Sequence, residues 1–370
     1  MSPRANLDIS PAYCLKLRHK ESSCRLCLES CPTNAISISQ SLTVDSSLCN
    51  DCGICVSVCP TGVFQLTDTP YRRLLDKLKA GSAAEFACSR AHPANDISTL
   101  PCLGYLDEAV LVAAIGSGAK AVSLNFAACR RCEQKSGLRA AARSLKKANR
   151  ILALFDTSKK ISAIATQADG EHSQQQSPLS SRREFFSFLK QGAQDIVTSA
   201  MRSADDDQKT RITLEPNIPE KRSRLLKHIR ALGTPLTDQA EANGLPFAQV
   251  EINSRCDGCA ICTTFCPAEA LKCFDREGKQ IIAFRLDYCL DCKLCSDICP
   301  QDAITFSSHI NPNSLLSTHW TMLTSHKSSA CGQCGKQYIT WPGTTLCLSC
   351  RRKREQEEWI ANRYRPPVKK

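Results

Sequence analysis

The chain has 370 residues, room for two or three domains with their own cores, and carries 25 cysteines and a formal net charge of +12. Its longest apolar run, about Ala109–Ile115, is far too short to cross a bilayer, and Met1-Ser-Pro-Arg-Ala-Asn-Leu-Asp8 lacks the apolar stretch of a signal peptide. The expectation is therefore a cytoplasmic protein without a secreted disulfide framework or a membrane span, whose reduced thiols bind metal.

In chain order, residues 1–70 contain Cys14, then after a gap of nine residues Cys24-Arg-Leu-Cys27-Leu-Glu-Ser-Cys31-Pro32, then Cys49-Asn-Asp-Cys52-Gly-Ile-Cys55-Val-Ser-Val-Cys59-Pro60. Between the blocks, Ala35-Ile-Ser-Ile-Ser39 and Leu42-Thr-Val-Asp45 alternate as a hairpin does. Residues 71–155 read as α/β. Strand-like Glu85-Phe-Ala leads to Cys88, Ser98-Thr-Leu-Pro to Cys102, and Ala121-Val-Ser-Leu-Asn-Phe126 to Cys129 and Cys132. Helices are predicted over Asp107–Ile115, stopped by Gly116 and Gly118, and over Gly137–Phe155. If those strands are parallel, all four thiols sit at carboxyl ends, where open α/β sheets place ligands.

Residues 156–245 read as a polar linker with two amphipathic helices. The first, from Ser181-Arg-Arg-Glu-Phe-Phe-Ser-Phe-Leu-Lys190 onward, buries Phe185, Phe186, Leu189, Ala193 and Ile196. Its twin-arginine look is offset by its internal position and by a polar continuation. The second, Pro219–Leu232, buries Leu225, Leu226, Ile229 and Leu232. Residues 246–310 repeat the cysteine pattern as Cys256-Asp-Gly-Cys259-Ala-Ile-Cys262-Thr-Thr-Phe-Cys266-Pro267 and Cys289-Leu-Asp-Cys292-Lys-Leu-Cys295-Ser-Asp-Ile-Cys299-Pro300. A second hairpin is predicted around Asp275-Arg-Glu-Gly278. Residues 325–370 hold Cys331-Gly-Gln-Cys334, Cys347-Leu-Ser-Cys350 and a mixed-charge helical tail.

Soft thiolates suit iron–sulfur centres and zinc, and a cubane needs four of them. Three blocks match C-x2-C-x2-C-x3-C-P, the run that wraps [4Fe–4S] clusters, whereas zinc knuckles lack the triple-cysteine run. On these motifs residues 1–70 and 246–310 resemble the bacterial two-cluster ferredoxins, in which the Cys-Pro thiol ligates the other cluster. The resemblance implies one site of Cys49, Cys52, Cys55 and Cys31 and a neighbour of Cys14, Cys24, Cys27 and Cys59. In the second module it implies Cys256, Cys259, Cys262 and Cys299, beside Cys289, Cys292, Cys295 and Cys266. The long gap after Cys14 reads as an inserted loop; a three-iron or open site without Cys14 is the alternative. Cys273 reads as a packed thiol.

The layout Phe86-Ala-Cys88, Leu100-Pro-Cys102-Leu-Gly104, Gly118-Ala-Lys-Ala-Val122 and Cys129-Arg-Arg-Cys132 resembles the iron–sulfur δ-subunit domain of methyl-viologen-reducing hydrogenases. That resemblance implies a [2Fe–2S] centre on Cys88, Cys102, Cys129 and Cys132, with electrons passed to a flavin-containing heterodisulfide-reductase-like partner. A metal-free domain and a thioredoxin-type Cys129–Cys132 pair stay open. The paired C-x2-C motifs of Cys331, Cys334, Cys347 and Cys350 have the spacing of a structural zinc ribbon.

Each such four-thiolate site carries about −2, so five or six of them would cancel most of the basic excess, which weighs against nucleic acid as a partner. No P-loop, G-x-G-x-x-G, H-E-x-x-H or G-x-S-x-G motif is present, so no catalytic centre is expected. The expectation is an α+β multidomain protein: two ferredoxin-like 2[4Fe–4S] modules, one α/β domain between them, and a C-terminal zinc ribbon. Its expected role is as an electron-transfer subunit of anaerobic metabolism for a hydrogenase, formate dehydrogenase or heterodisulfide-reductase-like enzyme. The alternatives are a maturation factor for such an enzyme, with the 181–190 segment as docking helix, and a redox-sensing regulator acting through the ribbon.

Overall fold

Short apolar pairs flank every cysteine block, and in the computed structural model they close into small antiparallel ladders. Residues 6–66, 83–89, 99–156, 158–164, 218–339 and 345–363 are described. In the first module β1 (Leu7–Ile9) precedes α1 (Leu15–Arg18), α2 (Leu26–Ser30), β2 (Ile36–Ile38), β3 (Leu42–Val44), α3 (Ile54–Val58) and β4 (Phe64–Leu66). β2 and β3 form the expected hairpin, with Ile36 opposite Val44. β1 and β4 pair antiparallel at the other end, Leu7 opposite Leu66, a ladder the sequence reading did not anticipate. Cys14, Cys27, Ile36, Leu42, Cys59, Val63 and Phe64 make a core of their own.

The middle domain is a parallel sheet of β5 (Ala83–Cys88), β6 (Thr99–Leu100), β7 (Ala121–Asn125) and β8 (Ile161–Ile164), in the order β6-β5-β7-β8. β8 lies in the stretch expected to be linker. Asp107 caps α4 (Glu108–Gly116), its carboxylate accepting the Val110 N–H at 2.9 Å. Every residue from Glu108 to Ile115 is buried, as a helix apolar all round requires. α5 (Lys135–Phe155) instead buries one stripe, with Ala141, Ser144, Ala148, Ile151, Leu152 and Phe155 inward. The first predicted linker helix lies outside the described residues. The second is α6 (Glu220–Ala231), which docks Leu225, Leu226 and Ile229 into the main core while Leu232 is only partly buried.

The second module repeats the first. β9 (Ala240–Glu241) is followed by β10 (Val250–Ile252), α7 (Ile261–Phe265), β11 (Leu271–Arg276), β12 (Lys279–Phe284), α8 (Leu294–Asp297), β13 (Ile304–Phe306) and β14 (His309–Ile310). β10 pairs β13, and β11 pairs β12 as predicted. The zinc-ribbon segment was expected to stand apart from residue 325. It does not: β15 (Thr321–Ala330) pairs with β12 and then with β16 (Gln337–Ile339), so this segment and the second module share a sheet. α9 (Leu348–Arg363) follows.

The described residues fall in one compact unit, Met1–Thr166 with Pro216–Lys370. One hydrophobic cluster runs from Leu66 and Phe86 through α4 and α6 to Ile282 and Leu315. The two modules also touch directly. Leu15 packs on Leu294 and Ile298, His19 meets Phe265 edge-on at 4.9 Å, and Asp297 Oδ2 accepts from Ser23 N (2.8 Å) and Oγ (2.7 Å). No described helix is long and apolar enough to cross a membrane.

Candidate metal centres

Each regular cysteine block folds the same way. Two residues near the first thiols take left-handed backbone: Asp51 and Gly53, Gly258 and Ala260, Asp291 and Lys293. That conformation is costly for residues with a Cβ, and it recurs only where something over-determines it. It coils the chain tightly around a hollow. After each Cys-Pro, a further left-handed residue (Asn34, Gly62, Glu269 or Asp302) turns the chain back. The next N–H then donates to the cysteine sulfur: Ala35 to Cys31 at 3.3 Å, Val63 to Cys59 at 3.4 Å, Ala270 to Cys266 at 3.2 Å and Ala303 to Cys299 at 3.3 Å. Donors of this kind hold a thiolate in place and tune a bound centre. Gly53 and Gly258 were legible as loop glycines; the same backbone at Asp51, Ala260, Asp291 and Lys293 was not, because their side chains give no sign of it.

The thiols of these blocks converge in four places. Cys31, Cys49, Cys52 and Cys55 line one cavity, and Cys14, Cys24, Cys27 and Cys59 line the next, with Cys14 itself buried. Cys266, Cys289, Cys292 and Cys295 line a third. Cys256, Cys259 and Cys299 surround Cys262, and Cys259 is the exposed member. Burial first, then mutual repulsion, pushes these thiols up: Cys52 to about 11, Cys27 and Cys262 to about 12, and Cys55, Cys292 and Cys295 further. Such a set is held as thiolates only by a bound cationic core, so the donors fit a [4Fe–4S] group. Cys273 stands apart on β11 opposite Ile282.

In the middle domain Cys88 ends β5, Cys102 follows β6, and Cys129 and Cys132 follow β7, all at carboxyl ends of parallel strands. Burial, then Cys88, Cys102 and Cys132, raises Cys129 to about 11. Cys102 accepts the Gly104 N–H at 3.4 Å and is the strongest charged neighbour of Cys52 in the first module. Gly137 makes this approach feasible, since a Cβ there would lie 2.6 Å from the Cys102 sulfur. The four thiols thus gather at the edge of the adjoining four-cysteine site.

Cys331, Cys334, Cys347 and Cys350 bring their sulfurs within 4.8 Å of one another, Cys334 and Cys347 at 3.7 Å. Tetrahedral zinc with ~2.3 Å bonds spaces its sulfurs about 3.8 Å apart, so this group fits a single ion. Backbone N–H groups of Cys347 and Cys334 lower Cys331 to about 6, favouring the ligating thiolate. Cys334→Ala is expected to remove zinc and leave iron unchanged; metal analysis that finds iron falling instead would reassign the group.

The sheet of β15 and β16 also braces the loop around Cys256 and Cys259. A Cβ on Gly258 would lie 2.1 Å from Ile339 Cδ1 and 2.9 Å from the His326 ring, at a φ of +72°. Gly258→Ala is therefore expected to cost about 1–3 kcal/mol and to loosen the loop around Cys256 and Cys259. Faster aerobic bleaching of the visible absorbance checks this; an unchanged rate would show that the sheet does not shield that site.

Against known families, residues 22–63 and 255–303 each match the 4Fe-4S dicluster domain family, less than half of the chain in all. The chain therefore holds two iron–sulfur dicluster modules. Cys14 falls just outside the first matched segment, and the structure brings it to the site regardless. No curated protein matches the chain.

Proposed function

We propose that this chain is an iron–sulfur electron-transfer subunit. It holds four [4Fe–4S] clusters, a [2Fe–2S] centre on Cys88, Cys102, Cys129 and Cys132, and structural zinc on Cys331, Cys334, Cys347 and Cys350. What supports the reading most is that the sites adjoin in a single line. Cys102 faces Cys52, Cys55 faces Cys27, Cys24 and Cys292 border one small core between the modules, and Cys295 faces Cys262. Bound clusters supply reversible one-electron chemistry. The protein's part is to ligate them by thiolates, to donate N–H bonds to the Cys-Pro sulfurs, and to keep water out with walls such as Leu66, Phe64 and Phe284. The ends of the line are unlike. One reaches the middle domain, and the other ends at exposed Cys259.

In this reading the chain has no catalytic centre and serves a separate cytoplasmic oxidoreductase: a hydrogenase, a formate dehydrogenase or a heterodisulfide-reductase-like flavoprotein. The test is anaerobic counting of iron, sulfide and zinc with EPR of the dithionite-reduced protein. Expected are four cubanes, one [2Fe–2S] signal, one zinc, and spectra broadened by coupling between neighbours. Iron that dithionite cannot reduce, or reduced clusters without mutual coupling, would overturn the relay.

A further inference from the structure

One feature that the thiol sites leave unexplained is a cavity of about 340 Å³ where the two modules, α5 and α6 meet. Small-molecule sites run to roughly 300–1,000 Å³, so it is large enough for a ligand with an organic body. Six cations line it: Arg25, Arg143, Lys147, Lys221, Arg222 and Lys293. Its three acids are already engaged, Glu29 with Arg25 at 3.7 Å, Glu108 with Lys221 at 3.9 Å and Asp291 with Lys293 at 2.7 Å. Burial pushes the Glu108 carboxyl up, but Lys221, Lys147, its own backbone N–H and Arg222 outweigh this and hold it below its ordinary value. Glu108 is therefore a charged partner for Lys221.

Arg143, Lys147 and Arg222 form no ion pair within 4 Å among the described residues, although Lys147 and Arg222 also act on Glu108 from further away. Arg143 and Lys147 are one turn apart on α5 and share a face. Arg222 is only 4% exposed and lies over the Phe247 ring at 4.3 Å. Its Nη2 donates to the Pro246 carbonyl at 2.5 Å, while Nε and Nη1 are buried with no hydrogen-bond partner. Buried donors left unpaired cost free energy, so an acceptor that reached them would be favoured. The remaining wall is apolar, with Leu26, Val58, Leu225 and Leu290.

We propose that this cavity binds a small organic phosphate, its dianionic group held by Arg143, Lys147 and Arg222 and its body against the leucines and Val58. A phosphate offers three acceptor oxygens, which suit a guanidinium fork and a lysine point charge together. Ligand binding at the site needs no electron transfer. The site adjoins Cys24 and Cys292, however, so its cations have a rival use in offsetting charge on the neighbouring centres.

The test is anaerobic titration calorimetry on the cluster-loaded full chain, with AMP, inorganic phosphate and citrate as probes. AMP is expected to bind at one site per chain, more tightly than inorganic phosphate, with citrate weaker than either. Arg143→Gln and Lys147→Gln are each expected to weaken AMP about tenfold, the equivalent of one charge-assisted hydrogen bond. Iron, sulfide and circular dichroism should stay unchanged, and Lys147→Arg should retain binding. No binding of AMP or phosphate overturns the site, and citrate binding as tightly overturns the ligand class. Phosphate binding without AMP removes the organic body. Variants that shift cluster potentials while AMP binding is unaltered assign the cations to the clusters instead.

Discussion

Cys52→Ala is expected to lose one cluster's worth of iron and sulfide and to unfold the first module under conditions in which the parent is folded. The module has little else to hold it. Its separate core is a handful of residues, several of them the thiols themselves, and its ladders are three residues long. In such domains the free energy of metal binding is a large part of the free energy of folding. Cys52 also borders the middle domain through Cys102, so the EPR signal of that neighbour should change as well. Iron and sulfide analysis with limited proteolysis reads the result, and parent-like iron would refute the assignment. Cys273→Ser is the matched control. That sulfur has only burial and Asp275 acting on it, with no other cysteine, and its loss should leave iron unchanged.

Asp287→Ala is expected to cost about 3–5 kcal/mol, because it strands a buried guanidinium. Asp287 is fully buried two residues before Cys289. Its carboxylate accepts from Arg285 Nε at 3.0 Å and Nη2 at 2.6 Å, and Arg230 approaches to 3.9 Å. Arg285 in turn lies 3.8 Å from the centre of the Tyr288 ring and is 8% exposed, so it has little freedom to reach water. Removing the carboxylate leaves this charge unpaired beside the loop that carries Cys289 and Cys292. Anaerobic guanidinium unfolding is expected to show the loss, with Asp287→Asn falling between parent and alanine. A cost below about 1 kcal/mol would mean that Arg285 swings out. Asp275→Ala, at an exposed position on β11, is the control and should stay within about 0.5 kcal/mol.

The thiol blocks were legible in the sequence because most of each block is local. Cys49, Cys52 and Cys55 lie on one short loop, and the Cys-Pro thiol follows each block at a constant spacing. The hairpins and α4 were legible for the same reason, since alternation and the Asp107 cap act over a few residues. The outer ladders β1–β4 and β10–β13 were missed because each joins segments more than fifty residues apart, which no local pattern reports. β8 was missed beyond a long helix, and α6 was taken for part of a linker although its leucines complete the main core.

The sequence alone determined which atoms can bind metal and how they are spaced, because thiol spacing is a covalent property of the chain. Only the tertiary structure decided which thiols lie side by side, the packing of His326 and Ile339 on Gly258, the buried Arg285–Asp287 pair and the cationic cavity around Arg222. Each of these arises where surfaces from distant parts of the chain are pressed together. Such contacts depend on how the packed elements fit in space, which spacing along the backbone does not encode.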